Sequence, residues 1–208
     1  GTDIAIGFET AVNVVMDSLD KLTTTATSHN RVMIAEVMGR GAGHLALSAG
    51  IAGYADVILI PEIDYTYEGV VKKLQEIKAQ GKKYGLIVIS EGIKSPEGKH
   101  HFATNGKTFG GVSAIFAEKL QKDGYNVRAT VLGHVQRAGN PVSDDRILAS
   151  EFAVRAVDLI EKGETNRVVI HKDGEVKDEA LNTILKIANT PVDPKGKLVY
   201  TARQLGIY

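Results

Sequence analysis

Short apolar runs alternate along this chain with amphipathic stretches of helical period, and that alternation constrains the fold more than any other feature. Val32–Val37 and residues 56–61, 84–90 and 127–132 read as strands. The run at 84–90 is continuously apolar, as expected of a strand buried on both faces of a parallel sheet. Helical spacing marks residues 8–22, where Ala11, Val14, Val15, Leu19 and Leu22 share one side. It also marks His44–Ala52, Val112–Lys122 and Tyr67–Ala79, the last with Gly81 as its stop signal. Repeated strand-helix-strand units imply right-handed crossovers, and therefore an α/β fold: a mostly parallel sheet with helices on both faces.

The pattern changes after Pro141. Ser143-Asp144-Asp145 resembles a helix start, with negative charge suited to a first turn, and predicts a long helix over 144–162. A short strand at 168–170, an Asp-Gly turn at Asp173-Gly174, a helix over 179–187, a loop over 191–197 and a short terminal helix complete the expected order. Residues 92–107 read as a long polar loop.

One junction carries the chemistry. The first strand runs into Met38-Gly39-Arg40-Gly41-Ala42-Gly43, and a helix follows at once. Glycines there let a ligand approach the backbone, and free N–H groups at the helix start favour an anion. Arg40 adds a planar cationic fork suited to phosphate. A second cationic cluster lies in the run from Arg128 to Arg137, where Gly133-His134-Val135-Gln136-Arg137 follows the last strand. Ligands of open parallel sheets bind beyond the carboxyl ends of the strands. Met38-Gly39-Arg40, Glu91-Gly92 and Gly133 to Arg137 all sit at such ends, which points to a site for a small phosphorylated molecule. There Glu91 either accepts hydrogen bonds from sugar hydroxyls or begins an exposed loop, the former being favoured, and His134 with Arg137 is expected to reach one anion. Arg31 and Arg128 fall at the opposite strand ends, as surface charges or as groups serving a neighbouring subunit. His29 fits either a structural or a functional role, and His100, His101 and His171 read as exposed loop residues.

The 208 residues carry 25 basic and 25 acidic side chains, a balance that argues against general nucleic-acid or membrane-surface binding. With no cysteine, neither a disulfide frame nor a thiolate metal site is possible. No apolar run reaches the roughly 18 residues of a membrane span. A cytoplasmic protein with no membrane and no nucleic-acid partner is expected.

In this order, these residues resemble the 6-phosphofructokinases. The matching pieces are Gly1-Thr2-Asp3 with the run from Ile6 to Ala11, Ser28-His29-Asn30-Arg31, and Glu36-Val37-Met38-Gly39-Arg40. Ile60-Pro61-Glu62, Ser90-Glu91-Gly92, the run from Arg128 to Arg137, and Asp145-Arg146-Ile147-Leu148-Ala149 continue the match. The resemblance spans most of the chain to about Leu159 and is weaker beyond. It implies a phosphofructokinase-like three-layer sandwich and phosphoryl transfer, with Mg²⁺, from ATP or pyrophosphate to the 1-hydroxyl of fructose 6-phosphate. Met38, Gly39, Glu91, His134 and Arg137 match positions that hold the sugar phosphate, and Arg40 matches one that touches the transferring phosphoryl group. Arg31 and Arg128 match residues lent by a neighbouring subunit, so a homo-oligomer, dimer or tetramer, is implied.

The family's donor loop and aspartate-bearing catalytic loop lie upstream of where Gly1 matches. The expectation is therefore a chain lacking the N-terminal donor-binding half, without a general base or metal ligands and inactive alone. Residues 1–141 are expected to form the sugar-phosphate-binding α/β domain, and residues 142–208 the helices and short strand that would pack on the missing half. Two departures stand out: Ala138 where the family often has glycine, and Thr23 and Gln80 where an allosteric nucleotide site uses arginine and lysine. The competing reading is a non-catalytic nucleotide- or dinucleotide-binding module, based on Gly39, Gly41, Gly43 and Asp56.

Overall fold

The structure, a computed structural model, describes residues 1–100, 110–187 and 190–208. His101 and the end of the expected 92–107 loop lie outside the described residues. Two compact units emerge: residues 12–138 with 191–208, and residues 1–11 with 139–190. The division is interleaved along the chain, whereas a sequential boundary at 141 was expected. The last 18 residues return to the larger unit.

In the larger unit, β1 (Val32–Val37), β2 (Val57–Leu59), β3 (Gly85–Ser90) and β4 (Val127–Val131) form a parallel sheet in the order β2-β3-β1-β4. Register is fixed by Val32↔Gly85 and Val37↔Ser90 on one side of β1 and by Val32↔Val127 on the other. All six residues of β1 and of β3 are buried, as a strand covered on both faces must be. Alternate residues face opposite layers. Met33, Ala35, Val37, Leu86 and Val88 pack with Val15 and Leu19 of α1 (Phe8–His29), Leu47 of α2 (His44–Ala52) and Val199 of α7 (Lys197–Gln204). Ile34, Val57, Ile87 and Ile89 pack with Val70 and Leu74 of α3 (Tyr67–Ala79) and Phe116 of α4 (Val112–Lys122). This is the expected helix-sheet-helix sandwich. The exposed side of β2 is lengthened by residue 208: Ile58 N donates to Tyr208 O at 3.0 Å and Tyr208 N to Asp56 O at 3.2 Å.

The smaller unit differs more from expectation. Its long helix α5 runs over Ser143–Glu161, but of the helix expected at 179–187 only residues 181–184 are helical. Instead β5 (Arg167–Lys172) and β6 (Glu175–Ala180) pair antiparallel across Asp173-Gly174, and only the short α6 (Leu181–Ile184) follows. Asp173 and Gly174 both take positive φ, 54° and 81°, as a tight hairpin turn demands. Asp178 on β6 is paired with Arg155 of α5 and Arg167 of β5, and these hold its carboxyl below the usual range. His171 lies within β5 rather than in an exposed loop. Of the α5 apolar set, Leu148 and Leu159 are buried while Ile160 is 74% exposed. Asp145 does not serve only its own helix start: its carboxylate accepts Gly7 N and Thr10 N at 2.8 Å each, capping the first turn of α1.

Candidate functional site

Three chain segments leave the sheet at the carboxyl ends of adjacent strands. The turn of residues 38–43 follows β1, Glu91 and Gly92 follow β3, and a five-residue 3-10 helix, Gly133–Arg137, follows β4. Because β1 lies between β3 and β4, the sequence-predicted groups Met38, Gly39, Arg40, Glu91, His134 and Arg137 occupy one edge of the sheet. His134 and Arg137 are exposed there, as is Arg40.

The 38–43 turn is held on every side. Met38 N donates to Gln136 Oε1 at 3.1 Å. Gly39 N and Arg40 N both donate to Glu91 Oε1, at 3.1 and 2.9 Å. Ala42 N closes back on Gly39 O at 3.1 Å. Gly43 N, at the start of α2, donates to Glu62 Oε1 at 3.0 Å, and the same oxygen accepts Val192 N at 2.8 Å. The expectation of free N–H groups at this junction is corrected in part: protein carboxylates take the N–H groups of Gly39, Arg40 and Gly43. The reason is geometric: Glu91 leaves the end of β3, next to β1, and Glu62 leaves the end of β2, one strand further out, where the partial positive charge of a helix start and turn attracts them. Glu91 thereby acquires a backbone role beside any role toward a sugar.

The glycines act by close approach rather than by left-handed backbone. A Cβ at Gly92 would lie 1.7 Å from Arg40 O, at Gly39 2.3 Å from Ala42 O, and at Gly43 2.3 Å from the Ile60 Cβ. Gly41 has nothing within 4 Å. The left-handed residue in the turn is Arg40 itself, at φ 53°. A non-glycine residue held there stores strain of about 1 kcal/mol or more, which persists only where its surroundings over-determine it. After β4, Gly133 takes φ 55° and starts the 3-10 helix. Ala138 sits at φ −108°, an extended conformation open to any residue, so the departure from glycine there causes no strain.

Arg31 and Arg128 lie at the other end of the sheet. Arg31 precedes β1, and Arg128 pairs in register with Met33. At about 3.3 Å per strand residue, Arg31 is roughly 20 Å along the strand from Met38. Within one chain the two arginines are not brought to the Arg40 edge. Arg31 Nε is buried without a hydrogen-bond partner, and Arg128 Nη1 donates to Val127 O. They line no common contact with His134 among the described residues. His29 ends α1, its Nδ1 3.0 Å from Thr25 O.

The geometry bears on the dinucleotide reading as well. Asp56 precedes β2, at the sheet edge opposite the glycine turn, and its carboxylate is held by Lys82 at 2.7 Å and Leu86 N at 2.9 Å. A ribose-binding acid belongs at the carboxyl end of a strand beside the glycines, so this pairing overturns that reading. Among the described residues no group of three or more His, Asp or Glu side chains could hold a metal ion.

Two groups that sequence reasoning did not single out are Gln136 and Glu62. Gln136 is 1% exposed although its neighbours face solvent. A visible signal was present in each case: an amide three residues after a strand-end glycine, and an acid immediately after the Ile60-Pro61 strand end.

Residues 1–160 match the family model described as Phosphofructokinase. The chain is 44% identical over 210 residues to the ATP-dependent 6-phosphofructokinase 1 of Synechocystis sp., covering 99% of this chain and 58% of that relative. It is 43% identical to the ATP-dependent 6-phosphofructokinase of Thermosynechococcus vestitus, covering 100% of this chain and 56% of the relative. The chain thus spans somewhat over half the length of these curated relatives. Among solved structures, phosphofructokinase from Saccharomyces cerevisiae superposes with a TM-score of 0.74 at 30% identity, over 89% of this chain and 24% of that one. A pyrophosphate-dependent phosphofructokinase from Nitrosospira multiformis shares the fold, with a TM-score of 0.70 at 23% identity over 88% of this chain and 48% of that one. Sequence, fold and the strand-end motifs agree that the chain belongs to the phosphofructokinase family.

Proposed function

We propose that this chain supplies the sugar-phosphate side of a 6-phosphofructokinase, which transfers a phosphoryl group to the 1-hydroxyl of fructose 6-phosphate. The observation that carries the reading is the meeting of the 38–43 turn, Glu91 and the Gly133–Arg137 helix at one edge of the sheet. In this reading His134 and Arg137 take the 6-phosphate through charge-assisted hydrogen bonds. Met38 and Gly39 line the sugar, and Glu91 accepts from a sugar hydroxyl while one oxygen keeps the turn in place. Arg40 meets the transferring phosphoryl group, where a rigid cationic fork stabilises charge that builds up in transfer. The strain at Arg40 is consistent with such a role, since strained backbone clusters at functional sites.

The sugar 1-oxygen attacks phosphorus, the bond from phosphorus to the donor's bridging oxygen breaks, and the hydroxyl proton passes to a base not assigned to this chain. The donor is ATP, the nucleotide in the names of the 44% and 43% identical relatives, with Mg²⁺ on the donor. Arg31 and Arg128 serve the 6-phosphate of a second copy, which makes the enzyme a homo-oligomer, dimer or tetramer. Their distance from the Arg40 edge and the unpartnered Arg31 Nε support that assignment. A cytoplasmic location accompanies this reading; no helix among the described residues is long and apolar enough to cross a membrane.

The test is product formation by the full-length protein given fructose 6-phosphate with ATP or with pyrophosphate. Fructose 1,6-bisphosphate with equimolar ADP is expected. Turnover with neither donor would sink the proposal, and turnover with pyrophosphate alone would overturn the donor.

A further inference from the structure

We infer that Gln136 is a positioning residue that sets the spacing between the two halves of the site, an inference that rests on the functional reading above. Gln136 lies just past the end of the β1–β4 ladder. In a parallel pair, a residue of one strand donates to the residue before its partner and accepts from the residue after it. Leu132 N does donate to Glu36 O, at 3.1 Å. The matching bond would run from Met38 N to Leu132 O. It is replaced, because the chain leaves the strand at Gly133 in left-handed conformation and winds into the 3-10 helix.

The side-chain amide of Gln136 fills the gap. Its Oε1 accepts Met38 N at 3.1 Å and its Nε2 donates to Gly133 O at 2.9 Å. It therefore acts as a surrogate peptide, continuing the ladder one step past the strands. On one side of that step lies the turn that presents Gly39 and Arg40; on the other lies the helix that presents His134 and Arg137. The group is 1% exposed, and its neighbour Val135 is 57% exposed, so the 3-10 helix buries one polar side chain while its cations face outward. A buried amide with both ends bonded is directional, which an apolar side chain of the same size is not.

A substrate held at its 6-phosphate and reacting at its 1-hydroxyl needs both halves at a fixed separation. Misplacement of about 1 Å costs on the order of 10²-fold in rate. Gln136→Met removes both bonds at similar volume. Gln136→Glu keeps an acceptor for Met38 N but sets an anionic oxygen against Gly133 O, and protonation restores a donor there.

The experiment measures kcat and both Michaelis constants of the full-length enzyme across about pH 5.5 to 8, the range in which a buried carboxyl can titrate. The amide resonance of Met38 is followed in the same samples. Gln136→Met should lose on the order of 10²-fold in kcat/KM for fructose 6-phosphate, with the ATP constant within about twofold of the parent. Gln136→Glu should show a similar loss at the alkaline end and recover toward acid, relative to the parent's own profile, with the Met38 amide shifting in step. If the methionine variant folds poorly, the glutamate variant carries the test alone. Sugar-phosphate kinetics unchanged in Gln136→Glu, an equal loss for both substrates, or a loss that does not vary with pH would each overturn the inference. A parent enzyme inert to fructose 6-phosphate would instead remove the functional reading, and the Met38 amide would still decide whether Gln136 holds the turn.

Discussion

Replacing Gly92 by alanine tests whether the Arg40 turn needs its observed place. A Cβ at Gly92 would lie 1.7 Å from Arg40 O and 2.8 Å from Arg40 C, where ordinary contact begins at 3.4 Å. The obstructing atoms are backbone, so no rotamer change relieves the clash. Arg40 is already in left-handed conformation, pinned at its N–H by Glu91. The turn must therefore move by more than 1 Å, or the Ser90-Glu91-Gly92 segment must. Overpacking of this kind costs about 1–3 kcal/mol in stability, which a protein stable by roughly 5–15 kcal/mol survives. Displacing Arg40, proposed above to meet the transferring phosphoryl group, should show as a loss on the order of 10²-fold in kcat. Gly41→Ala is the control, because nothing lies within 4 Å of its Cβ position and its φ is not positive. Steady-state kinetics and thermal unfolding of the two full-length variants, measured side by side, decide the matter. Equal activity in Gly92→Ala and Gly41→Ala would refute the claim that this backbone contact places Arg40.

Glu36 is 1% exposed and its carboxylate accepts Gly111 N, Ser113 N and Ser113 Oγ at the start of α4. Glu36→Ala should cost about 3–5 kcal/mol in urea unfolding, because buried donors are left unpaired; a loss below about 1 kcal/mol would contradict this. Asp178, held low chiefly by its bond to Arg155 and then by Arg167, contributes stability that is full above the ordinary carboxylate value of 3.8 and is lost as pH falls through its depressed folded value. Acid titration of unfolding should therefore show a loss below pH 3.8 that Asp178→Asn lacks, and parallel curves for the two proteins would refute the linkage. Mixing Arg31→Ala subunits with Arg137→Ala subunits, both assayed at fructose 6-phosphate too dilute for either alone to turn over appreciably, should restore part of the activity if the site is shared between copies. Hybrids that stay inactive after confirmed subunit exchange would end that proposal.

Much of the sandwich was legible because its signals are local. Val32–Val37, His44–Ala52, Tyr67–Ala79 and Val112–Lys122 have the observed bounds, set by apolar runs between glycines and by caps such as Thr66, whose side chain accepts Gly69 N. The α1 helix was read as ending near residue 22 because its last turns are polar. The helix runs on to His29, burying Ala26, while Thr24, Thr27 and Ser28 satisfy their hydroxyls on carbonyls four residues earlier. The β6 strand was missed because Glu175-Val176-Lys177-Asp178-Glu179-Ala180 lacks apolar alternation. It is fixed by the Asp-Gly turn and by the two arginines on Asp178, and only the turn is a sequence signal. The site edge followed from the strand-end rule, and Arg40, His134 and Arg137 appeared where expected. Sequence could not show that Glu91 and Glu62 occupy the N–H groups of the glycine turn, or that Gln136 bridges the two motifs. Those bonds join residues up to 98 positions apart.

The most direct test of the central claim is the half-saturation of the full-length Arg137→Ala enzyme for each substrate. Arg137 is exposed beside His134 at the carboxyl end of β4, on the helix that Gln136 ties to Met38. Loss of one charge-assisted bond to the 6-phosphate costs about 1.5–3 kcal/mol, a rise of roughly tenfold to a hundredfold in the fructose 6-phosphate constant. The account predicts that rise with the ATP constant essentially unchanged. A fructose 6-phosphate constant equal to that of the parent, or a matching rise for ATP, would contradict it.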